Sequence, residues 1–241
     1  MKAKQFIPKP RLVDREKFIL DCARGKTVLD IGMGGHLDDS AVIEHYLTLD
    51  LTQTIHGKLS KVAGRLDGID INVKPLEAMR KAVPGFYAFC DVCSSDFASV
   101  LGDRRYDLIV FGDTIEHLDD FRSALRNLRS VLRKDGILLI STVNAYSFES
   151  IIKLLFRYES VHDEHTAYFS YSTLRRLLAM NQLEIVDFQY CMPLHLKRLD
   201  SFAHRISYHV SRLFVRVFPQ YSLGVVALTK PVVATGVEAS A

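Results

Sequence analysis

The stretch TVLDIGMGG at residues 27–35 decides the fold class. Its first five residues are mostly apolar and suit a buried strand, and its glycines let the backbone turn sharply and approach a ligand closely. In a parallel α/β sheet, ligands bind just beyond the carboxyl ends of the strands, which is where this turn lies. The stretch therefore predicts a first strand followed by a cofactor-binding turn. A plain strand-to-helix turn is the alternative, because a glycine-rich turn alone is weak evidence.

Short apolar runs alternate with helix-like segments along the rest of the chain. Seven strands are predicted, at residues 27–31, 65–70, 86–90, 106–111, 136–142, 183–188 and 222–229. Helices are predicted at residues 15–22, 55–63, 73–82, 121–133 and 172–180. Near-continuous hydrophobic strands separated by helices are typical of a parallel sheet that is covered on both faces. We therefore expect an α/β fold with a mainly parallel sheet.

Bulk composition bounds the class of protein. The 241 residues are 48% hydrophobic and 24% charged, without internal repeats, which favours one ordinary globular domain over residues 1–241. A net charge of +3 is too mild to require nucleic acid, and we expect no nucleic-acid partner. The four cysteines form no disulfide framework and no signal peptide is evident, so a cytoplasmic location is expected.

Acidic residues stand where successive predicted strands end. Asp70 ends the second strand, where a carboxylate can accept hydrogen bonds from both hydroxyls of a ribose. Asp91 and Val92 follow the third strand, where an acid suits the exocyclic amine of adenine. The fourth strand runs into GDTIEH at residues 112–117. Core packing explains apolar strands but places no acid at each strand end, so the set predicts a cofactor crevice.

These motifs together resemble the class I S-adenosylmethionine-dependent methyltransferases. The resemblance is strongest to small-molecule enzymes related to ubiquinone-biosynthesis and polysaccharide-cluster methyltransferases. The matching segments are residues 28–34, 66–70, 106–118, 128–142 and 165–178, within a region of about 25–190. The resemblance implies a Rossmann-like, seven-stranded sheet whose last strand runs antiparallel beside the sixth. It also implies a core at about 25–145 plus 183–230, with acceptor-side segments at about 145–182 and 191–220.

S-adenosylmethionine is the cofactor that the resemblance implies. The candidate cofactor-binding residues are Asp30, Gly32, Gly34, Gly35, Asp70, Ile71, Asp91, Val92, Gly112, Asp113 and Glu116. The chain departs from the family pattern at His36, which stands where a last glycine is expected unless Gly35 takes that role in a shifted turn. Residues 36–54 are interpreted as an insertion, since the usual spacing to the ribose-binding acid is only about 20 residues.

Methyl transfer from a sulfonium is an in-line displacement, so the protein must mainly align the acceptor and exclude water. A hydroxyl acceptor would benefit from a general base, and histidine suits that role near neutral pH. The candidate catalytic residues are His165 and His117, with Asn144 placed to orient the acceptor. Two alternatives stay open: His117 caps or packs the next helix, and residues 162–165 are only a polar loop. No metal site is expected, because no clear third ligand is spaced with the histidines.

The function predicted from the sequence is O-methylation of a sugar or related hydroxyl on a small molecule. One alternative is a nicotinamide-dependent oxidoreductase, whose G-x-G-x-x-G fingerprint fails because Leu37 follows Gly32 and Gly34 in the third glycine position. A non-catalytic cofactor-binding scaffold is another. Residues 199–218 form an amphipathic stretch, interpreted as a helix over the active site or at a homodimer interface. Peripheral membrane contact through this stretch is a further alternative.

Overall fold

The computed structural model describes residues 6–34, 48–159, 161–192 and 202–232, with the backbone alone for residues 202–209. Four parts of the sequence predictions lie outside the described residues. They are the candidate cofactor residue Gly35, residues 36–47 of the predicted insertion, residues 193–201 of the acceptor-side segment 191–220, and the first residues of the amphipathic stretch, 199–201.

The described chain folds around one open sheet of eight strands in the order β1-β7-β8-β6-β5-β2-β3-β4. The strands are β1 (Leu12–Asp14), β2 (Thr27–Ile31), β3 (Arg65–Asp70), β4 (Tyr87–Phe89), β5 (Tyr106–Gly112), β6 (Leu132–Val143), β7 (Leu183–Met192) and β8 (Gly224–Pro231). β8 runs antiparallel between β6 and β7, and the other pairs are parallel. The expected mainly parallel α/β sheet with an antiparallel last strand is confirmed.

The predicted strand number of seven is wrong by one. The additional strand, β1, pairs in parallel with the end of β7, with Leu12 opposite Tyr190. Three residues are too short to show a period-two pattern, so the strand exists only because β7 offers it an edge. Pairing with β8 as far as Cys191 and with β1 as far as Met192 carries β7 four residues beyond its predicted end at Phe188.

Helices cover both faces of the sheet. They are α1 (Arg15–Ala23), α2 (Ile55–Leu59), α3 (Val73–Ala82), α4 (Phe97–Leu101), α5 (Phe121–Val131), α6 (Phe148–Leu155), α7 (Tyr171–Met180) and α8 (Phe202–Val217). Side chains cap several of these helices: Asp14 accepts from the amide of Lys17, and Asp120 from that of Ser123. Both α4 and α6 were absent from the sequence prediction.

The core consists of two layers separated by the sheet. On one face, buried leucines of α5 and α7 pack against the strands. On the other face, Ile19 of α1, Leu59 of α2 and Met79 of α3 are fully buried against the same strands. This two-sided burial explains why the central strands read as continuous apolar runs. Among the helices that the structure describes, none combines the length and apolarity needed to cross a membrane.

Candidate active site

The turn after β2 requires glycine at position 32. Gly32 has φ +70°, and its amide donates to the carbonyl of Ile69 at 3.0 Å. A Cβ atom at this position would lie 2.8 Å from Oγ1 of Thr114, which follows β5. Left-handed backbone and close approach together exclude a larger residue. The turn is therefore packed directly between the ends of β3 and β5.

Asp70, the last residue of β3, is a buried carboxyl group held by two backbone amides. Oδ2 accepts from the amide of Gly34 at 2.7 Å, and Oδ1 accepts from that of Asn72 at 2.8 Å. Burial raises the pKa of Asp70 and the charge of Asp30 adds to the rise, whereas the amide bonds act in the opposite direction. A carboxylate offers about four lone-pair positions, more than the backbone amides use here, so it can still accept a hydrogen bond from a ligand hydroxyl.

Asp91, the acid that follows β4, lies near Asp70 along the carboxyl edge of the sheet. β4 pairs in parallel with β3, with Phe89 opposite Asp70, so Asp91 follows two residues beyond this edge. Its Oδ1 accepts from the amide of Cys93 at 2.8 Å, while Val92 is buried. Ile71 is 59% exposed directly after Asp70, which leaves an apolar side chain at the same edge.

Asp113, directly after β5, pairs with an arginine that the sequence analysis missed. Nη2 of Arg15 lies 2.9 Å from Oδ2 of Asp113, and its Nε donates to Oγ of Ser141 at 3.0 Å. The same guanidinium lies close to Gly112, where a Cβ would meet it at 2.9 Å. Arg15 comes from the first turn of α1, before any recognised motif, and no local pattern marks it. The fold thus places a cation among acids at the crevice.

Glu116 is buried (1% exposed) in the 3₁₀ turn Ile115–His117. Oγ1 of Thr142 donates to its Oε2 at 2.9 Å, and the backbone carbonyl of Glu116 accepts from the amide of Thr166. Burial raises the pKa of Glu116 to about 7, and the charge of Asp113 contributes. A carboxyl group in this state can exchange a proton near neutral pH.

His117 and His165 lie together, with ring centroids 4.6 Å apart. Nδ1 of His117 bonds the carbonyl of Glu164 at 3.2 Å, so that nitrogen carries hydrogen and a neutral ring has its lone pair on Nε2. Nδ1 of His165 lies 3.3 Å from the hydroxyl of Tyr168. His162 adds a third imidazole, with its ring centroid 5.1 Å from that of His165. The structure therefore brings the two candidate bases into one group.

Glu116, His117 and His165 each offer one ligand atom, and these three atoms lie within 4.8 Å of one another. A carboxylate with two imidazoles is a donor set that could hold a divalent metal. The third ligand, Glu116, lies 49 positions before His165, so local spacing does not reveal it. The expected absence of a metal site stays a prediction.

Asn144 lies just past β6, and its side-chain amide is engaged in structural bonds. Nδ2 donates to the carbonyls of Gln220 at 2.9 Å and Ser222 at 2.7 Å, which uses both of its hydrogens. Oδ1 accepts from the amide of Tyr146 at 3.1 Å, and the residue is buried. These bonds join the end of β6 to the segment before β8 and occupy the side-chain amide. Orientation of the acceptor by Asn144 stays a prediction.

The described part of the amphipathic stretch is α8, which packs on α6. Phe214 stacks on Phe148 with ring centroids 4.4 Å apart. Val210, Leu213 and Val217 of the same helix are exposed. The homodimer and membrane-contact interpretations of this stretch both stay predictions.

Comparison with known proteins places the chain in a family. Residues 9–187 match a family model described as a methyltransferase domain. The chain is 25% identical over 126 residues to a ubiquinone biosynthesis O-methyltransferase of Actinobacillus pleuropneumoniae serotype 7, covering 50% of this chain and 47% of that protein. It is 27% identical over 139 residues to the Histophilus somni enzyme of the same name, covering 54% and 51%. The chain thus spans about half the length of these curated relatives.

Solved structures share the fold over most of the chain. The CcbJ methyltransferase from Streptomyces caelestis matches with a TM-score of 0.57 at 14% identity, covering 90% of this chain and 88% of that one. The magnesium protoporphyrin IX methyltransferase from Synechocystis, solved with bound S-adenosylhomocysteine, matches with a TM-score of 0.55 at 13% identity, covering 89% and 80%. Because the family match spans the glycine turn and every acidic strand end, the chain belongs to the methyltransferase domain family, within the class I S-adenosylmethionine-dependent methyltransferases.

Proposed function

We propose that this protein binds S-adenosylmethionine at the carboxyl edge of the sheet and transfers its methyl group to a hydroxyl of a small molecule. The observation that carries the proposal is the bond from the Gly34 amide to Asp70, which holds the buried carboxylate at the strand end. A Cβ on Gly34 would lie 2.7 Å from Cβ of Pro75 and 3.0 Å from Oδ2 of Asp70. Position 34 therefore has no room for a side chain, and a bare backbone at this turn suits the close approach of a cofactor.

The remaining cofactor contacts follow from position along the edge. Asp70 accepts the ribose hydroxyls, Asp91 receives the exocyclic amine of adenine, and Ile71 and Val92 line the adenine. Arg15 is placed to pair with the carboxylate of the methionine end, because its guanidinium already lies beside Asp113 at the end of β5. When bound, S-adenosylmethionine supplies an electrophilic methyl group and its own leaving group.

The histidine group takes the proton of the acceptor hydroxyl. His165 acts as general base from the segment expected to meet the acceptor, and His117 contacts its ring. Glu116, in the same group, has a pKa of about 7 and can relay the proton onward. The rest of the chain's contribution is alignment of the acceptor and exclusion of water.

The acceptor class proposed is a sugar or related hydroxyl. The curated relatives named above are O-methyltransferases, which favours oxygen over nitrogen or carbon as the atom that is methylated. The proposed acceptor pocket lies beside the histidine group, within the acceptor-side segment at about 145–182 to which His165 belongs.

Two measurements on the purified chain test the function. The unfolding temperature should rise with S-adenosylmethionine or S-adenosylhomocysteine and stay unchanged with NAD, since a ligand at 100 times its Kd stabilises the native state by about 2.7 kcal/mol. Transfer of isotope-labelled methyl groups to a panel of sugar, phenol and amine acceptors should then identify a hydroxyl acceptor. Stabilisation without transfer to any acceptor would favour the scaffold interpretation, and stabilisation by NAD alone would refute the proposal.

A further inference from the structure

The buried side chains of Asp30, His56 and Tyr87 form a hydrogen-bond chain beneath the glycine turn. Nδ1 of His56, on α2, lies 2.9 Å from Oδ2 of Asp30, and its Nε2 lies 3.0 Å from the hydroxyl of Tyr87. The Tyr87 hydroxyl donates in turn to the carbonyl of Val83 at 2.9 Å. The His56 side chain is fully buried, and that of Asp30 nearly so. None of these contacts belongs to the histidine group proposed to act on the acceptor.

Counting hydrogens along this chain determines its charge. The Val83 carbonyl only accepts, so the Tyr87 hydrogen points to it and Nε2 of His56 must donate to the Tyr87 oxygen. The bond between Nδ1 and Asp30 then needs one further hydrogen, carried by either atom. In both arrangements Asp30 and His56 together are electrically neutral.

Gly68, on the neighbouring strand β3, leaves space for the side chain of His56. A Cβ on Gly68 of β3 would lie 2.9 Å from Cε1 of His56 and 2.5 Å from Sδ of Met33. Gly68 pairs with Asp30 in the register of β2 and β3. The absence of a side chain at Gly68 therefore makes room for the imidazole between the turn and the ribose-binding strand.

We propose that His56 is a positioning residue of the cofactor site, which fixes and neutralises Asp30 beneath the glycine turn so that Asp70 stays ionised for the ribose. The proposal rests on the proposed binding of S-adenosylmethionine. His56 touches no cofactor atom and acts through Asp30.

Charge explains why Asp70 depends on this neutralisation. Asp70 is buried, and the negative charge of Asp30 is among the causes that raise its pKa. The other charged or titratable groups described around the chain are Asp67 on β3, Tyr87 on β4, Arg80 on α3, which donates to the carbonyl of Tyr87 at 3.0 Å, and the Lys58–Glu16 pair between α2 and α1, with Nζ 2.8 Å from Oε1. With His56 removed, Asp30 would have no described cation bonded to it.

His56→Leu and His56→Asn test the proposal. In His56→Leu, the midpoint of the Asp70 carboxyl titration, followed by carbon-13 NMR without cofactor, should move upward. The affinity for S-adenosylmethionine should fall roughly tenfold at the acidic end of a pH series and recover as the pH rises, because Asp70 then ionises at a higher pH than in the wild type. His56→Asn keeps a donor toward Asp30 but is neutral, so it should show the same upward shift, with its affinity likewise recovering as the pH rises.

Leu59→Ala is the matched control, because Leu59 is fully buried on the same short helix. It should lower the unfolding temperature while its affinity profile stays parallel to that of the wild type. An unmoved Asp70 midpoint in His56→Leu, or parallel affinity profiles, would assign His56 a purely structural role and overturn the proposal. Failure of the wild type to bind S-adenosylmethionine would refute the proposed function instead, and the NMR titration would still decide the role of His56.

Discussion

The amide of Gly34 and the carboxylate of Asp70 are joined by a 2.7 Å hydrogen bond between residues 36 positions apart in the chain. This bond connects the turn after β2 with the end of β3, the two elements that the proposed cofactor would bridge. Because the carboxylate is buried, its orientation is set by the turn rather than by solvent. A change in either residue should therefore affect both elements.

Replacement of Asp70 by alanine should weaken S-adenosylmethionine binding by roughly tenfold to a hundredfold, because charge-assisted hydrogen bonds are worth about 1.5–3 kcal/mol. Isothermal titration calorimetry on the folded variant measures this. Asp67→Asn changes another buried acid of β3, three residues from Asp70, where Tyr106 and Arg65 bond it. This control should leave the affinity within about twofold. Unchanged affinity in Asp70→Ala would remove the ribose assignment.

Gly32→Ala should destabilise the protein more than Gly25→Ala, although the two glycines have nearly the same φ, +70° and +69°. A methyl group at Gly25 meets nothing within 4 Å, so only backbone strain of about 1–2 kcal/mol is added. At Gly32 it would lie 2.8 Å from Oγ1 of Thr114, which adds about 1–3 kcal/mol of overpacking. Urea unfolding of both variants compares them, and equal losses would contradict the packing argument.

His165→Ala should bind S-adenosylmethionine normally and lose about 100-fold or more in single-turnover rate, if His165 is the general base. His117→Ala should instead disturb cofactor affinity at least as much as rate, because His117 belongs to the motif at residues 112–117 that also holds the candidate cofactor residues Asp113 and Glu116. Both binding and single-turnover measurements are needed, because steady-state constants mix the two effects.

His162→Ala is the control for the preceding prediction, since its exposed ring is the outer member of the histidine group. It should retain a single-turnover rate within a few-fold of wild type. Near-wild-type turnover in His165→Ala would rule out His165 as the general base. Alignment of the acceptor with the methyl group would then explain catalysis.

Glu116 makes the stability of the wild type depend on pH. Its pKa is raised from 4.5 to about 7 in the fold, so the folded state holds a proton that the unfolded state releases. The free energy of unfolding should therefore fall as pH rises from about 4.5 through 7, by on the order of 3 kcal/mol. Glu116→Gln should lack this component, because the amide does not titrate. Urea unfolding between pH 5 and 8 tests this pH dependence. Parallel curves of unfolding free energy against pH for the wild type and Glu116→Gln would exclude the contribution of Glu116.

The fold was largely predictable from local pattern. β2, β3 and α3 have the predicted bounds, because apolar runs there end at glycine, acid or helix-starting residues. The sequence prediction omitted α6, an eight-residue helix none of whose residues is buried. It also extended α2 to residue 63, whereas the helix ends at Leu59.

The sequence by itself determined the parallel sheet, the glycine turn, the acids at strand ends and the family, because each depends on residues close together in the chain. Only the tertiary structure brought Arg15 to Asp113, His165 to His117 and Glu116, and His56 to Asp30. These partners come from separate elements, and their distances are set by how helices pack on the sheet. Local periodicity carries no information about such distances, so residue contacts within the site could be found only after the elements were packed.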